Sequence, residues 1–152
     1  MIKHIKCNIF DSGADIILHQ VNCQGVMGSG IAKQVREKFP NVYMHYKNLC
    51  DTYSYNRASL LGNVQAIPVG DKLIANLFAQ EHYGYDGKCY TDYNALKKCL
   101  ETVNRYVYRN EVVSIPYLMG CHRGGGDWDT VYKMIEDIFT DNDVLICEYN
   151  GG

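Results

Sequence analysis

The chain has 152 residues and a mass of 17.3 kDa, one domain's worth, and a chain of this length buries roughly 68–70% of its unfolded surface. Apolar residues make up 47% and charged residues 21%, which excludes a disordered or fibrous chain, and the longest apolar runs, such as Ile16-Ile17-Leu18, are far short of the ~20 residues that cross a bilayer. Fifteen basic against seventeen acidic residues give a net charge of −2. That balance argues against the clustered positive field of a non-specific nucleic-acid groove, but not against a small anion held by backbone amides.

Met1 to Cys7 reads as a first short strand, and the apolar stretch Asp15 to Asn22 as a strand covered on both faces. A glycine-rich loop, Cys23 to Gly30, runs into a helix whose Ile31, Val35 and Phe39 share one face and which Pro40 stops. A second helical stretch follows over Val42 to Cys50. Leu61 to Val69 and Lys72 to Phe78 flank Gly70-Asp71 and are expected to form an antiparallel hairpin. Glu81 to Tyr90 is a loop, and Thr91 is placed to cap a helix carrying Leu96, Cys99, Leu100, Val103 and Val107 inward. Glu111 to Ile115 is a strand ended by Pro116. A second glycine-rich loop, Tyr117 to Asp127, precedes a helix over Trp128 to Phe139, and Val144 to Tyr149 closes the chain as a strand.

Strands alternating with helices, plus one hairpin, predict a single α/β domain over 1–152, a three-layer α/β/α sandwich around a mixed sheet. Both glycine loops fall at strand-to-helix junctions, where ligands of such sheets bind. Neither loop ends in Gly-Lys-Ser/Thr, and neither fits the dinucleotide fingerprint. Paired across a cleft, they suit a diphosphate, with Asp127 capping the helix at Trp128.

Seven cysteines without a CxxC pair offer no zinc-ribbon or thioredoxin spacing, and no metal is required by any spacing. Lys3, His4 and Lys6 are followed by no sustained apolar stretch, so no secretion signal is expected. The expectation is free thiols, a cytoplasmic setting, no membrane association and no cofactor; the oligomeric state is left open. Cys23, Cys121, His19 and His122 invite a thiolate or metal reading, but packing is the default for each.

The segment His19-Gln-Val-Asn22-Cys-Gln-Gly-Val-Met-Gly-Ser-Gly-Ile-Ala32, with Phe39-Pro40, resembles the first ligand loop of macrodomains. Ile115-Pro116 and Gly120-Cys-His-Arg-Gly-Gly-Gly-Asp-Trp128 resemble their second phosphate loop. The resemblance extends over essentially the whole chain and is nearest to the subgroup of ADP-ribose 1″-phosphate phosphatases, terminal ADP-ribose glycohydrolases and DNA ADP-ribosyl antitoxins. It implies binding of ADP-ribose, as the free ligand or on a modified substrate, and hydrolysis of an ADP-ribose derivative. The alternatives are a non-catalytic module that binds or sequesters ADP-ribose, and a scaffold for a related nucleotide.

The same resemblance implies site residues. Asn22 matches the contact to the distal ribose, and Gly28, Ser29, Gly30 and Ile31 match the loop over the diphosphate. Gly120, Cys121, Arg123, Gly124, Gly125 and Gly126 match the opposing loop, with Arg123 either a phosphate contact or a solvated loop tip. Asn8 and Ile9 stand where many members carry an acidic residue for adenine, and Tyr149 is a candidate stacking partner. His19 occupies the position of a histidine in the phosphatase-like relatives, which makes it a candidate acid or base with Asn22 beside it; its other reading is a core histidine. The lysine and aspartate of the glycohydrolase relatives correspond here to Gln80 and Gly124, with Lys88 or Asp86 as shifted substitutes.

Overall fold

The computed structural model describes residues 1–149; the last three residues of the expected 1–152 domain lie outside the described residues. Six strands form one mixed sheet: β1 (Ile2–Lys6), β2 (Ile16–Asn22), β3 (Val64–Val69), β4 (Lys72–Gln80), β5 (Val112–Pro116) and β6 (Asp143–Glu148). Their spatial order is β1-β6-β5-β2-β4-β3, all parallel except the β3 edge strand, which pairs antiparallel with β4 as the hairpin predicts. Four helices cover it: α1 (Gly30–Lys38), α2 (Pro40–Thr52), α3 (Tyr93–Tyr106) and α4 (Trp128–Ile138).

Two apolar layers fill the sandwich. Leu18, Leu77, Val113, Ile115 and Ile146 meet Leu96, Leu100 and Val103 of α3 and Val131 and Ile135 of α4. On the opposite face Ile17, Val21, Ile74 and Phe78 meet Val35 of α1 and Val42, Tyr46 and Cys50 of α2. Period-two alternation along each strand sends successive side chains to the two layers, so the buried strands read as continuous apolar runs. Among the described residues no helix is long and apolar enough to cross a membrane.

Three local expectations need correcting. Pro40 does not leave a gap before the second helix; it is the first residue of α2, where a missing N–H costs no intrahelical bond. The cap of α3 is Asp92, whose carboxylate accepts from the Ala95 amide at 3.0 Å, and not Thr91. The Thr91 hydroxyl is committed elsewhere, donating to the Gly120 carbonyl at 2.7 Å. Pro116 is the last residue of β5 and not the first residue beyond it.

Pro116 also shapes the sheet. Alternate residues of β5 turn their backbone groups to alternate neighbours: the Val112 carbonyl accepts from Asp15 on the β2 side, and the Tyr117 amide donates to Cys147 on the β6 side. Pro116 therefore falls on the β2 side with no N–H to give. The β2–β5 pairing covers only Ile16↔Val113 and Ile17↔Ser114, after which the two strands part. The chain leaves β2 toward α1 on one face and leaves β5 toward α4 on the other. A crevice at the carboxyl ends of β2 and β5 follows from that divergence.

Candidate active site

A cleft with an empty volume of about 880 Å³, open to solvent, occupies this crevice. Its floor is the end of β2, His19 to Asn22, with Gln80 from β4. One wall is Val26 and Gly28 to Ala32; the other is Pro116 to Gly120 with His122, Arg123 and Gly124. Tyr83, Gly84 and Tyr85 lie over the mouth. No carboxylate and no lysine lines it among the described residues, and Arg123 is its one permanent charge.

The first wall is anion-ready. Ser29 starts α1 with extended backbone and no side-chain cap, so the amides of Gly30, Ile31 and Ala32 keep the unpaired donors of a helix start. Gly30 itself takes φ +59°, the left-handed region glycine tolerates. The second wall is built differently from the first. The N-terminus of α4 is closed by its own residue, since the Asp127 carboxylate accepts from the Thr130 amide at 3.0 Å and from its hydroxyl at 2.9 Å. Its contribution to the cleft is instead a row of loop amides: those of Gly120, His122, Arg123 and Gly124 make no hydrogen bond among the described residues. Leu118 in this wall holds φ +64°, a conformation that costs a leucine on the order of 1–2 kcal/mol. Such strain concentrates at functional walls.

Asn22 is held from several sides. Its Oδ1 accepts from the amides of Gln24 (2.9 Å) and Val26 (3.4 Å) and from the Tyr46 hydroxyl (2.8 Å), and its Nδ2 donates to the Val26 carbonyl (2.8 Å). Tyr46 sits in the apolar layer, where burial raises its pKa and keeps the phenol a donor. Nothing in the sequence singles out Tyr46 beyond its place on the inner face of a helix.

The second wall rests on a directed amide chain that the sequence reading missed. Gln80 donates to the His82 carbonyl at 2.9 Å, which turns its Oε1 toward Gln20. The Gln20 amide nitrogen donates to Gln80 Oε1 (2.8 Å) and to Thr91 Oγ1 (2.9 Å), and Thr91 passes the bond to Gly120. Gln20 near the end of β2 and Gln80 closing β4, both polar residues on largely buried strands, are the signal that could have shown it.

His19 is 1% exposed, and burial pushes its pKa down to about 4 against the opposing hydrogen bond to Asn76. It is a neutral imidazole at neutral pH. Cys23 and Cys121 are thiols, not thiolates: burial pushes them up to about 12 and about 11. Arg123 stacks on the Tyr85 ring, its guanidinium carbon 4.1 Å from the centroid, and so ties the second wall to the loop over the mouth.

The remaining expected site residues fall outside the cleft lining. Cys121 packs against the α3–α4 layer, and Gly125 and Gly126 donate to His122 and Gly120 within the turn. Asn8 Oδ1 caps a short 3-10 turn by accepting from the Phe10 amide at 3.0 Å, with Ile9 buried in that turn. Tyr149 is exposed just beyond β6, at the same end of the sheet as Asn8 because β1 and β6 pair in parallel. Asp86 and Lys88 pair with each other at 3.7 Å on the loop tip, outside the lining, and the Tyr90 hydroxyl holds the Asp86 pKa below its usual range.

No family profile matches the chain. It is 26% identical over 156 residues to a DNA ADP-ribosyl glycohydrolase of Mycobacterium tuberculosis, covering 100% of this chain and 43% of that protein. It is 35% identical over 74 residues to an ADP-ribose 1″-phosphate phosphatase of Scheffersomyces stipitis, covering 45% of this chain and 43% of that protein. The chain thus spans less than half the length of either relative. In structure it superposes on the macrodomain of Mycobacterium tuberculosis DarG with a TM-score of 0.81 at 23% identity, covering 100% of this chain and 99% of the other. The fold is that of a macrodomain, and the sequence resembles macrodomain sequences.

Proposed function

We propose that the chain binds ADP-ribose in this cleft and hydrolyses an ADP-ribose derivative at the distal ribose, either an ADP-ribosyl linkage to a macromolecule or the 1″-phosphate. The observation that carries the reading is a row of amides without partners in each wall of a cleft that no carboxylate lines among the described residues. A diphosphate needs donors on both sides and no competing negative charge, and main-chain N–H groups supply this without a net positive chain. The names of both curated relatives point the same way, toward ADP-ribose derivatives.

In this reading the amides of Gly30 and Ile31 hold one side of the diphosphate and those of Arg123 and Gly124 the other, with Gly28 and Ser29 shaping the approach. Asn22, already fixed by four hydrogen bonds, orients the distal ribose through the second hydrogen of its Nδ2. The Asn8 amide nitrogen makes no hydrogen bond among the described residues and, with Ile9 and Tyr149, is assigned to the adenine end. A water beside the anomeric carbon is oriented by His19 and polarised by the bound phosphates.

One observation favours a second reading, a binding module without turnover. Among the described residues the cleft offers no carboxylate or lysine, and an imidazole whose pKa is about 4 is a weak base. Calorimetric titration with ADP-ribose, beside AMP and ribose 5-phosphate, tests binding; incubation with ADP-ribose 1″-phosphate and with ADP-ribosylated DNA and protein tests turnover. Binding of ADP-ribose far tighter than either fragment, with release of product, is the expected result. Binding without product selects the module, and no detectable heat overturns both readings.

A further inference from the structure

Register places three polar residues in one line across the sheet. His19 of β2 is the partner of Asn76 of β4, and Asn76 is the partner of Gln65 of β3. Period two puts all three on the face of α1 and α2, within a layer otherwise built from Ile17, Ile67, Ile74 and Phe78. Asn76 is fully buried.

The hydrogen bonds along this line have one direction. The His45 carbonyl of α2 can only accept, so Gln65 must turn its amide nitrogen to it, at 3.1 Å. Gln65 Oε1 then faces Asn76 and accepts from Asn76 Nδ2 at 3.0 Å. That fixes the Asn76 amide, whose Oδ1 faces the His19 ring and requires a proton on Nε2. A neutral imidazole carries one N–H, so Nδ1 is left as a bare acceptor, and it is the ring nitrogen with no partner among the described residues.

We propose that Asn76 and Gln65 are positioning residues that hold His19 in its Nε2–H tautomer, so that Nδ1 accepts a hydrogen bond from an O–H group in the cleft, a ligand hydroxyl or a water. His19 contributes to the lining of that cleft, while Nδ1 itself is shielded from solvent, so an O–H group reaches it with a small shift of the surrounding wall. A buried acceptor that stays unmet costs roughly 1–3 kcal/mol, which a chain built around an apolar layer has reason to retain only where something meets it. The neutral state fits the burial that pushes the ring pKa down to about 4. The opposite tautomer would make both ends of the line acceptors, so two acceptors would face each other somewhere along it. Gln65 does this from outside the cleft, two strands away from His19, so its role is separable from direct contact with a ligand. The O–H donor rests on the ADP-ribose reading; the tautomer does not.

The test is nitrogen-15 imidazole NMR of the full chain at neutral pH, with and without saturating ADP-ribose. The expected spectrum has His19 protonated at Nε2 alone, with the Nδ1 resonance moving when ADP-ribose is added. Gln65→Leu, at a position outside the cleft lining, is expected to release Asn76, populate the Nδ1–H form and weaken ADP-ribose binding by roughly threefold to tenfold. Gln65→Glu, which keeps an acceptor for Asn76, is expected to keep the Nε2–H form. A direct ligand contact is distinguished from a water by dependence on the ribose: ribose 5-phosphate moves Nδ1 in the first case, and inorganic diphosphate in neither. An Nδ1–H or cationic ring in the wild-type chain, or a tautomer indifferent to Gln65→Leu in a folded variant, overturns the relay. An Nδ1 resonance unmoved in a chain that does bind ADP-ribose overturns the acceptor role. A wild-type chain that fails to bind ADP-ribose defeats the functional reading and the ligand contact together, while the tautomer still decides the relay.

Discussion

The Tyr46 hydroxyl lies 2.8 Å from Asn22 Oδ1 and 2.7 Å from the Asn22 carbonyl, so a helix on one face of the sheet holds the residue at the tip of β2 that begins the first ligand wall. The rest of the Tyr46 ring stacks on Phe78 of β4 with centroids 5.8 Å apart. Tyr46→Phe keeps the stack and removes the donor. The expected loss is about 1 kcal/mol of stability, because the Gln24 and Val26 amides still satisfy Oδ1 while the backbone carbonyl loses a partner. Denaturant unfolding reads the stability, and calorimetry should show weaker ADP-ribose binding as Asn22 gains freedom. An affinity unchanged in the variant would mean that Asn22 needs no support from α2.

Thr91 supports the second wall in the same way. It is 6% exposed and stands between Gln20 and Gly120 as acceptor and donor at once. Thr91→Val has the same shape but leaves one Gln20 hydrogen unanswered and the Gly120 carbonyl with the Gly126 amide alone, at a cost of roughly 1–3 kcal/mol. Thr91→Ser should recover most of it. Equal stability of the valine and serine variants in urea unfolding would count against the chain of bonds.

His19 makes stability depend on pH with a definite sign. Its folded pKa is lowered, from 6.5 to about 4, so the unfolded chain takes up the proton first as pH falls. The contribution of the neutral ring is complete above about pH 6.5, is lost between pH 6.5 and pH 4, and is on the order of 3 kcal/mol in total. His19→Gln should flatten that part of the profile. The check is the difference in unfolding free energy between pH 7 and pH 4.5, wild type against variant; equal differences would show that another group governs the acid limb.

Two glycines separate backbone strain from crowding. Gly30 has φ +59° and open space where a Cβ would stand, so Gly30→Ala should cost only the strain, about 1–2 kcal/mol. Gly125 has φ +69°, and a Cβ there would meet the Lys88 carbonyl oxygen at 2.5 Å and the Cys89 Cα at 3.0 Å. Gly125→Ala should therefore cost more than Gly30→Ala and push the Tyr83–Tyr85 segment away from the cleft mouth. Thermal unfolding gives the order; equal losses would mean that the loop over the mouth yields without cost.

The order of strands and helices, the hairpin at Gly70-Asp71, the inward faces of α3 and α4 and the Asp127 cap were legible from the chain alone. Each depends on a local rule: a period, a turn pair, a capping side chain. The two glycine loops were legible for the same reason, since Gly30 and Gly125 need backbone conformations that other residues resist. What escaped is what joins distant positions. Thr91 reads as a helix cap until Gly120, twenty-nine residues on, is brought within reach of its hydroxyl. Pro116 reads as a strand end until the register shows which neighbour its missing N–H faces. His19 reads equally as a catalytic base or a core residue, because its tautomer is set fifty-seven residues away at Asn76 and, beyond that, by a carbonyl on α2. Periodicity and turn chemistry are written in neighbouring residues; hydrogen-bond direction is decided only when the sheet puts its strands in register.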